Sequence, residues 1–344
     1  MAWIFIPEYS LHFHDRTDEK VGQTLHPWLT ATPAQYFQRY NSTGVGAAYM
    51  SFIISGNASP ANVIAQRNAF QKLFVEQTRL GIPVTFVMET LHSGAWGGTV
   101  FPMPVNYGSA WNTTALEHSQ RAAAAEARAI GADRGFSPVI NLFPDPRYGR
   151  TQEGFSADPF LTSQLGLAAV RGLQGATAGS KSGPTDYIGS DSLVATVKHY
   201  AAYGKTTGGI DGSPADISEQ TLRETYLAPW SALARAGILR SVMAAQNAVN
   251  GRPMHANKRL LTSILREEWG ITDALVESDG GDCIGALQYG FHMAGSIPEA
   301  AVMGVDAGMD MARHDSAEYS CRLKARRCTA MDWIFILAYC FAIP

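Results

Sequence analysis

The chain has 344 residues, of which 46% are hydrophobic and 17% are charged, and its formal net charge is −3. This composition is typical of a globular protein with a sizeable core, and it excludes an intrinsically disordered chain. The weak net charge gives no electrostatic reason to expect a nucleic acid or a membrane as a partner. The four cysteines lack zinc-type spacing and a neighbouring histidine, so we expect no metal site and no disulfide framework. No cofactor is expected either.

Signals for the cellular location of the protein are few. No stretch is long enough to span a bilayer, and the first residues lack the basic region that begins a signal peptide. Sequons of the N-x-S/T type occur at Asn41, Asn57 and Asn112. They favour an extracellular protein, although such triplets also arise by chance in a chain of this length.

Apolar runs alternate with segments of helical periodicity along most of the chain. Strands are predicted at residues 44–54, 83–88, 136–142, 193–200, 238–244 and 274–276, with a last strand-like piece near 305–311. Helices are predicted at about residues 61–80, 112–131, 161–175, 218–235, 260–269 and 284–293. This alternation favours an α/β fold with a parallel sheet, most simply a (β/α)8 TIM-type barrel. Because six or seven strands are found where eight are needed, we expect the barrel to be irregular or incomplete at its C-terminal end.

Charged side chains stand at the ends of several predicted strands. Glu89 follows the second predicted strand, and Lys198 with His199 ends the fourth. Asp279 follows the sixth, where two glycines let the chain turn sharply. In a (β/α)-barrel these strand ends meet on one face, where the reacting groups are placed.

The loops beside these strand ends contain arginine and aromatic residues. Arg147 and Arg150 lie in the polar run after the third predicted strand. Aromatic side chains occur in the loops at Trp96, Phe101, Tyr148 and Phe155. Carboxylates and cations form strong, charge-assisted hydrogen bonds to hydroxyls, and aromatic faces cover the apolar face of a sugar ring. The pattern therefore predicts a site for an uncharged, polyhydroxylated ligand.

Five sequence segments match one known family in order and spacing. They are FSPVINLFPDPRYGRTQEGFSADPFL, VATVKHYAAYG, SVMAAQNAVNG, LLTSILREEWG and VESDGG. Over about residues 18–311 the chain resembles the N-terminal barrel domain of glycoside hydrolase family 3. The resemblance implies that Asp279 is the nucleophile of a retaining, exo-acting β-glycosidase, which forms a covalent glycosyl-enzyme intermediate. It implies a β-glucosidase-like role in carbohydrate metabolism, with a β-linked oligosaccharide or glycoside as the substrate.

The same resemblance implies further roles in the site. The expected substrate-binding residues are Glu89, Arg147, Glu153, Lys198, His199 and Met243. Simpler roles stay open for some of them. Arg147 could form a purely structural ion pair with Asp145, and Met243 could simply pack in the core. Glu153 could equally be a surface carboxylate, and an isolated aspartate such as Asp279 is more often a helix N-cap than a nucleophile.

Two positions depart from the pattern of the family. Gln246 stands where the family often has a tyrosine beside the nucleophile, so we expect the orientation of Asp279 or the fit of the substrate to differ. Glu89 stands where many glucosidases have an aspartate. Its extra methylene favours a pentose, which has no hydroxymethyl group, so a β-xylosidase is an alternative activity.

The resemblance also predicts three parts of the chain. Residues 1–17 are expected to be a poorly defined extension, residues 18–312 the barrel domain and residues 313–344 an atypical tail. In most of the family, a glutamate of a second α/β-sandwich domain is the general acid/base. We expect that domain to be absent from this chain, and residues 205–216 contain no histidine that could replace its acid. The general acid/base is therefore unassigned, and a truncated, catalytically impaired sugar-binding remnant is the other alternative.

Overall fold

The chain folds around one parallel sheet. The computed structural model describes residues 24–25, 34, 37–38, 46–50, 59–94, 98–175, 188–280 and 283–312. Within these residues the sheet has seven strands, which are β1 Thr24–Leu25, β2 Ala47–Tyr49, β3 Thr85–Met88, β4 Arg134–Gly135, β5 Val194–Tyr200, β6 Ser241–Ala244 and β9 Leu275–Ser278. A separate antiparallel hairpin, β7 Ala248–Val249 and β8 Arg252–Pro253, lies between β6 and β9 in sequence. Neighbouring strands of the main sheet are parallel and follow the order of the chain, as in a (β/α)-barrel.

Helices fill the connections between the strands. In chain order they are α1 Pro60–Gln77, α2 Pro104–Ala110, α3 Thr113–Ala129, α4 Pro159–Gln174, α5 Glu219–Thr221, α6 Ala228–Arg235, α7 Ala286–Tyr289 and α8 Ile297–Ala307. Two further segments have π-helical hydrogen bonding, Leu222–Tyr226 and Arg259–Glu268. Short 3₁₀ turns occur at Pro146–Tyr148, Thr151–Glu153 and Met254–Ala256. None of the helices described here is both long enough and apolar enough to cross a membrane.

Polar residues begin the helices where the sequence predicts it. The side chain of Asn112 begins α3 by accepting a hydrogen bond from the backbone N–H of Ala115 at 2.9 Å. The side chain of Ser218 accepts the N–H of Thr221 in the same way and begins α5. Each cap satisfies a backbone donor that the helix leaves free, which is worth about 1 kcal/mol. The predicted helix starts at residues 112 and 218 are therefore confirmed.

The strands of the sheet are covered on both faces. Every residue of β6 and β9 is buried, as expected of parallel strands that lie between a barrel interior and an outer layer of helices. On the outer side, the rings of Tyr200 and Trp230 pack edge to face, with centroids 4.9 Å apart. An inner cluster consists of Ala47, Val87, Phe136, Met243, Leu275 and Met311.

The bounds of the third predicted strand, at residues 136–142, are wrong. The sheet pairing lies earlier, at β4, and an isolated bridge then joins Val139 to Lys198. Pro138 lies between them and has no N–H for the ladder. The apolar residues Val139, Ile140 and Leu142 are nevertheless buried, and so is the polar residue Asn141. Their pattern therefore reflects burial in the core rather than continuous strand pairing.

The last predicted strand-like piece, at residues 305–311, is helical up to Ala307 and returns to the sheet at its end. Ser296 caps α8, a proline lies in its first turn, and the helix continues to Ala307. Gly308 then ends the helix with a φ of 111°, a left-handed conformation that glycine adopts easily. Asp310 and Met311 then return to the sheet, where both backbone N–H groups donate to the carbonyl of Val276. Met311 also forms an isolated parallel bridge to Glu277. The prediction is therefore wrong for residues 305–307, which are helix, while residues 310–311 pair with β9.

The described strands form an incomplete barrel, which confirms the predicted fold class. Strand β1 was not predicted, and the helix predicted at residues 284–293 is only the short α7. The predicted extension at residues 1–17 and the tail at residues 313–344 lie outside the described residues. The predicted domain bounds therefore stay predictions.

Candidate active site

The predicted strand ends meet at one edge of the sheet. Glu89 directly follows β3, His199 lies near the end of β5, and Asp279 directly follows β9. Because these strands are parallel, their ends lie on the same face of the barrel. Gln246 follows the end of β6 and contacts Asp279, so a fourth strand end contributes to the same group.

Asp279 is held by contacts to both of its carboxylate oxygens. The residue is 7% exposed, and its Oδ1 accepts a hydrogen bond from the backbone N–H of Gly280 at 2.6 Å. Its Oδ2 accepts a hydrogen bond from Nε2 of Gln246 at 3.1 Å and lies 3.7 Å from Nε2 of His199. The next described helix, α7, begins further along the chain, so these contacts are not those of a helix N-cap. Uncharged donors thus hold a nearly buried carboxylate in one orientation.

Asn141 fixes the ring of His199. Nδ2 of Asn141 donates to the backbone carbonyl of His199 at 2.9 Å, so Oδ1 of Asn141 faces both the backbone N–H and ring Nδ1 of His199, at 3.3 and 2.9 Å. Because Oδ1 can only accept, Nδ1 of His199 carries the ring proton. Nε2 of His199 lies 3.4 Å from Nη2 of Arg150, which is a donor. The ring therefore presents an acceptor nitrogen beside Asp279.

Arg150 and Glu153 form a charged pair on the other side of His199. Nε and Nη2 of Arg150 donate to the two carboxylate oxygens of Glu153, both at 2.8 Å, and Nη1 donates to the hydroxyl of Tyr203 at 3.3 Å. Burial lowers the pKa of Arg150, but the hydrogen bonds to Glu153 and the charge of Glu153 together raise it by more. The net shift of the pKa is therefore upward. Burial raises the pKa of Tyr203, whose ring packs against His199 at 5.0 Å between centroids. Arg150 and Tyr203 therefore keep their protons at neutral pH.

Lys198 and Glu89 form a second charged pair at the site. Nζ of Lys198 lies 2.8 Å from Oε2 of Glu89. The Lys198 side chain is 6% exposed and the Glu89 side chain 45% exposed, so the pair extends from the barrel interior to its open face. An ammonium group only donates and a carboxylate only accepts. Together the two side chains can therefore bind a hydroxyl group as both donor and acceptor.

Two predicted site residues make contacts that suit their simpler alternatives. Arg147 is exposed in the turn Pro146–Tyr148 and donates to the carboxylate of Asp145, with Nη2 to Oδ2 at 2.7 Å. This hydrogen bond lowers the pKa of Asp145. Met243 is fully buried in β6, in the inner cluster with Phe136. The ion pair and the core packing are thus observed, and the substrate-binding roles of Arg147 and Met243 stay predictions.

The aromatic residues of the loops differ from the sequence-based expectation. Tyr148 and Phe155 are 2% and 3% exposed and belong to the main hydrophobic core, so they do not offer an open face to a sugar. Phe101 is partly exposed, and Trp96 lies outside the described residues. An aromatic ring that does lie at the site is that of Tyr203, which packs beside His199. Its role at the site was not predicted.

Besides Tyr203, the sequence reasoning missed Asn141 and His255. Asn141 lies within the segment FSPVINLFP and Tyr203 within VATVKHYAAYG, so proximity to charged motif residues would have indicated Asn141 and Tyr203 alike. His255 lies between the quoted segments, and no local pattern marks it. Its Nε2 accepts a hydrogen bond from the backbone N–H of Asp279 at 3.3 Å.

The arrangement suits attack by a carboxylate on a bound sugar. In the part of the chain that the structure describes, no group of three or more His, Cys, Asp or Glu side chains is placed to hold a metal ion. A fixed carboxylate can act as a nucleophile, and the surrounding donors and acceptors can orient hydroxyl groups.

The chain is similar in sequence to known glycosidases. The family pattern described as "Glycosyl hydrolase family 3 N terminal domain" matches residues 16–327. A beta-xylosidase from Formosa agariphila is 36% identical over 241 residues, which are 68% of this chain and 32% of that protein. A periplasmic beta-glucosidase from Salmonella typhimurium is 35% identical over 239 residues, which are 69% of this chain and 29% of that protein. The chain thus spans about a third of the length of these relatives.

The fold is similar to those of solved β-glucosidase structures. One from Erythrobacter marinus has a TM-score of 0.78 and 30% identity, and the match covers 90% of this chain and 40% of that one. One from Listeria innocua has a TM-score of 0.74 and 28% identity, and the match covers 94% of this chain and 44% of that one. The Listeria innocua enzyme was also solved with glucose and, as a mutant, with laminaribiose. Because the family pattern covers most of the chain and the parallel barrel agrees with it, the chain belongs to glycosyl hydrolase family 3.

Proposed function

We propose that the chain carries the barrel site of a retaining, exo-acting β-glycosidase of the β-glucosidase type, with Asp279 as the nucleophile. The observation that carries this proposal is the carboxylate of Asp279. It stands at the end of β9 with Oδ1 held by the N–H of Gly280 and Oδ2 turned towards Gln246 and His199. Fixing a carboxylate in this way pre-organises it for attack on a sugar bound at the open face of the barrel.

In the proposed reaction, a carboxylate oxygen of Asp279 bonds to the anomeric carbon of the sugar while the glycosidic C–O bond breaks. The electron pair of that bond leaves with the aglycone oxygen, which takes up a proton. Water then attacks the anomeric carbon of the covalent intermediate, loses its proton to a base and releases Asp279. Two inversions in sequence retain the β configuration of the sugar.

Binding of the sugar is assigned to the charged groups around Asp279. The exposed carboxylate of Glu89 and the ammonium of Lys198 offer an acceptor and donors for one or more hydroxyls. The ring of His199 offers an acceptor, and the Arg150–Glu153 pair lies directly behind it. In each of the two pairs, Lys198 with Glu89 and Arg150 with Glu153, the positive charge balances the negative one. Such a polar lining suits an uncharged β-glucoside.

A β-xyloside is the second candidate substrate. Glu89 reaches further into the site than an aspartate would, because its side chain has one more methylene and its Oε2 is held by Lys198. A carboxylate in that place leaves less room for a hydroxymethyl group. The beta-xylosidases among the similar proteins support the same possibility.

The proposal is tested by covalent labelling with 2-deoxy-2-fluoro-β-glucosyl fluoride. The 2-fluoro group slows hydrolysis of the intermediate, and fluoride leaves without a proton, so labelling depends on the nucleophile alone. Intact-protein mass spectrometry should show one sugar per chain, and peptide mapping should place it on Asp279. The xylosyl fluoride, run in parallel, measures which sugar reacts faster.

Two variants serve as controls for this experiment. Asp279→Ala should bind the sugar but take no label, whereas Glu76→Ala, which removes an exposed carboxylate of α1, should be labelled like the parent chain. Labelling at another residue would refute the assignment of Asp279. Sugar binding by the parent chain without any labelling would instead support a non-catalytic sugar-binding protein.

A further inference from the structure

His255 contacts the backbone of the proposed nucleophile, Asp279. It belongs to the turn Met254–Ala256, which follows the hairpin β7–β8, and it is 2% exposed. Its Nε2 faces the backbone N–H of Asp279, with 3.3 Å between the nitrogen atoms. The contact therefore reaches the main chain of Asp279, while Gln246 and Gly280 contact the carboxylate.

The direction of this hydrogen bond defines the state of the ring. A backbone N–H can only donate, so Nε2 of His255 must be the unprotonated nitrogen and the ring is neutral. Burial lowers the pKa of His255 to about 4, although the charge of Asp279 raises it. The imidazole therefore remains an acceptor at neutral pH. A protonated ring would place two N–H donors opposite each other.

The turn that carries His255 is hydrogen-bonded to the segment that carries Gln246. The backbone N–H of Met254 donates to the carbonyl of Asn247 at 3.1 Å, and Asn247 directly follows Gln246. The N–H of Asn257 closes the turn by donating to Met254 at 3.1 Å. Helix α8 packs against this turn. One connected segment thus supplies two contacts to Asp279, with His255 on its backbone N–H and Gln246 on its carboxylate.

We propose that His255 is a positioning residue for the nucleophile. The inference rests on the proposed function and extends it to the main chain of Asp279. Without an acceptor at Nε2, the buried N–H of Asp279 loses its partner, and the peptide can rotate to find another. Such a rotation moves the carboxylate, and a displacement of about 1 Å at a reacting group can cost roughly 10²-fold in rate.

Two variants of similar size separate positioning from packing. In His255→Gln, the amide oxygen can reach about the place of Nε2 and accept the same N–H. In His255→Leu, the space is filled but no acceptor is present. For labelling by 2-deoxy-2-fluoro-β-glucosyl fluoride, we expect His255→Leu to lower the inactivation rate constant kinact by about 10–100-fold. KI should stay within about twofold, and His255→Gln should recover most of kinact.

Hydrogen exchange supplies a readout that does not depend on activity. The amide of Asp279 should exchange faster in His255→Leu than in the parent chain and in His255→Gln. The inference is overturned if His255→Leu keeps the parent kinact, or if both variants lose kinact equally and in proportion to their loss of Tm. If the parent chain takes no label at all, the proposed function fails. Amide exchange then still decides whether His255 holds this backbone.

Discussion

Arg134 and Glu277 form an ion pair inside the barrel, with Nη1 of Arg134 2.5 Å from Oε1 of Glu277. The same nitrogen donates to the hydroxyls of Thr196 and Ser241, at 3.1 Å each. One guanidinium group therefore joins β4, β5, β6 and β9. Side chains two residues apart on a strand point to the same face, so Glu277 lies one layer below Asp279.

We expect removal of one partner of this ion pair to lower the free energy of unfolding much more than replacement of both partners by apolar residues. Arg134→Met or Glu277→Leu leaves one buried charge without its partner, which should lower the free energy of unfolding by about 3–5 kcal/mol. The double variant removes both charges and should lose much less than the sum of the single losses. Urea unfolding of the parent and the three variants measures the coupling. Additive losses would show that the two side chains do not stabilise each other.

Gln246 should control the pH dependence of the nucleophile. In Gln246→Glu, a second carboxylate faces Oδ2 of Asp279 in place of the amide nitrogen, which now lies 3.1 Å away. Repulsion between two carboxylates disfavours ionisation of both. The acidic limb of kinact against pH should therefore move upward by about one pH unit or more. Gln246→Met is the matched control, since it removes the same hydrogen bond but adds no charge. It should lower kinact and move the limb upward by less than Gln246→Glu does.

Glu89 should influence the choice between glucosides and xylosides. Glu89→Asp withdraws the carboxylate by one methylene and makes room beside Lys198. One methylene of fit in a binding site is worth roughly 10–200-fold in specificity. The ratio of labelling rates, glucosyl fluoride over xylosyl fluoride, should rise towards this range. An unchanged ratio, with normal labelling by both sugars, would mean that Glu89 does not contact the part of the sugar that differs.

His255 should make the fold less stable in mild acid. Its pKa is about 4 in the folded chain and 6.5 in an unfolded one, so the unfolded state binds the proton first as the pH falls. The contribution of the neutral His255 ring to the free energy of unfolding is fully present above about pH 6.5. It is lost progressively as the pH falls to about 4. A difference of about 2.5 pH units corresponds to about 3 kcal/mol. Unfolding of the parent and of His255→Gln between pH 7 and pH 4 should show the smaller pH dependence in the variant. Parallel curves would contradict the neutral, buried state of the ring.

Local signals in the sequence were sufficient for the architecture and for the main candidate residues. Apolar runs separated by helical periodicity indicated parallel strands, because buried parallel strands need apolar residues on both faces. Polar residues such as Asn112 and Ser218 marked helix starts, since a cap is a contact within four residues of the chain. Asp279 followed from its place after a strand within a family motif.

Contacts between distant parts of the chain needed the tertiary structure. Arg134 and Glu277 are 143 residues apart, and their pairing depends on how the sheet curves and which side chains face inward. The burial of Tyr148 and the position of His255 under Asp279 likewise depend on how loops pack on strand ends. An apolar run at 305–311 suits a strand or a buried helix equally well by periodicity. The cap at Ser296 and the packing of α8 decided for a helix up to Ala307, whereas hydrogen bonds to β9 returned residues 310–311 to the sheet. Burial stabilises whichever element fits the neighbouring surface.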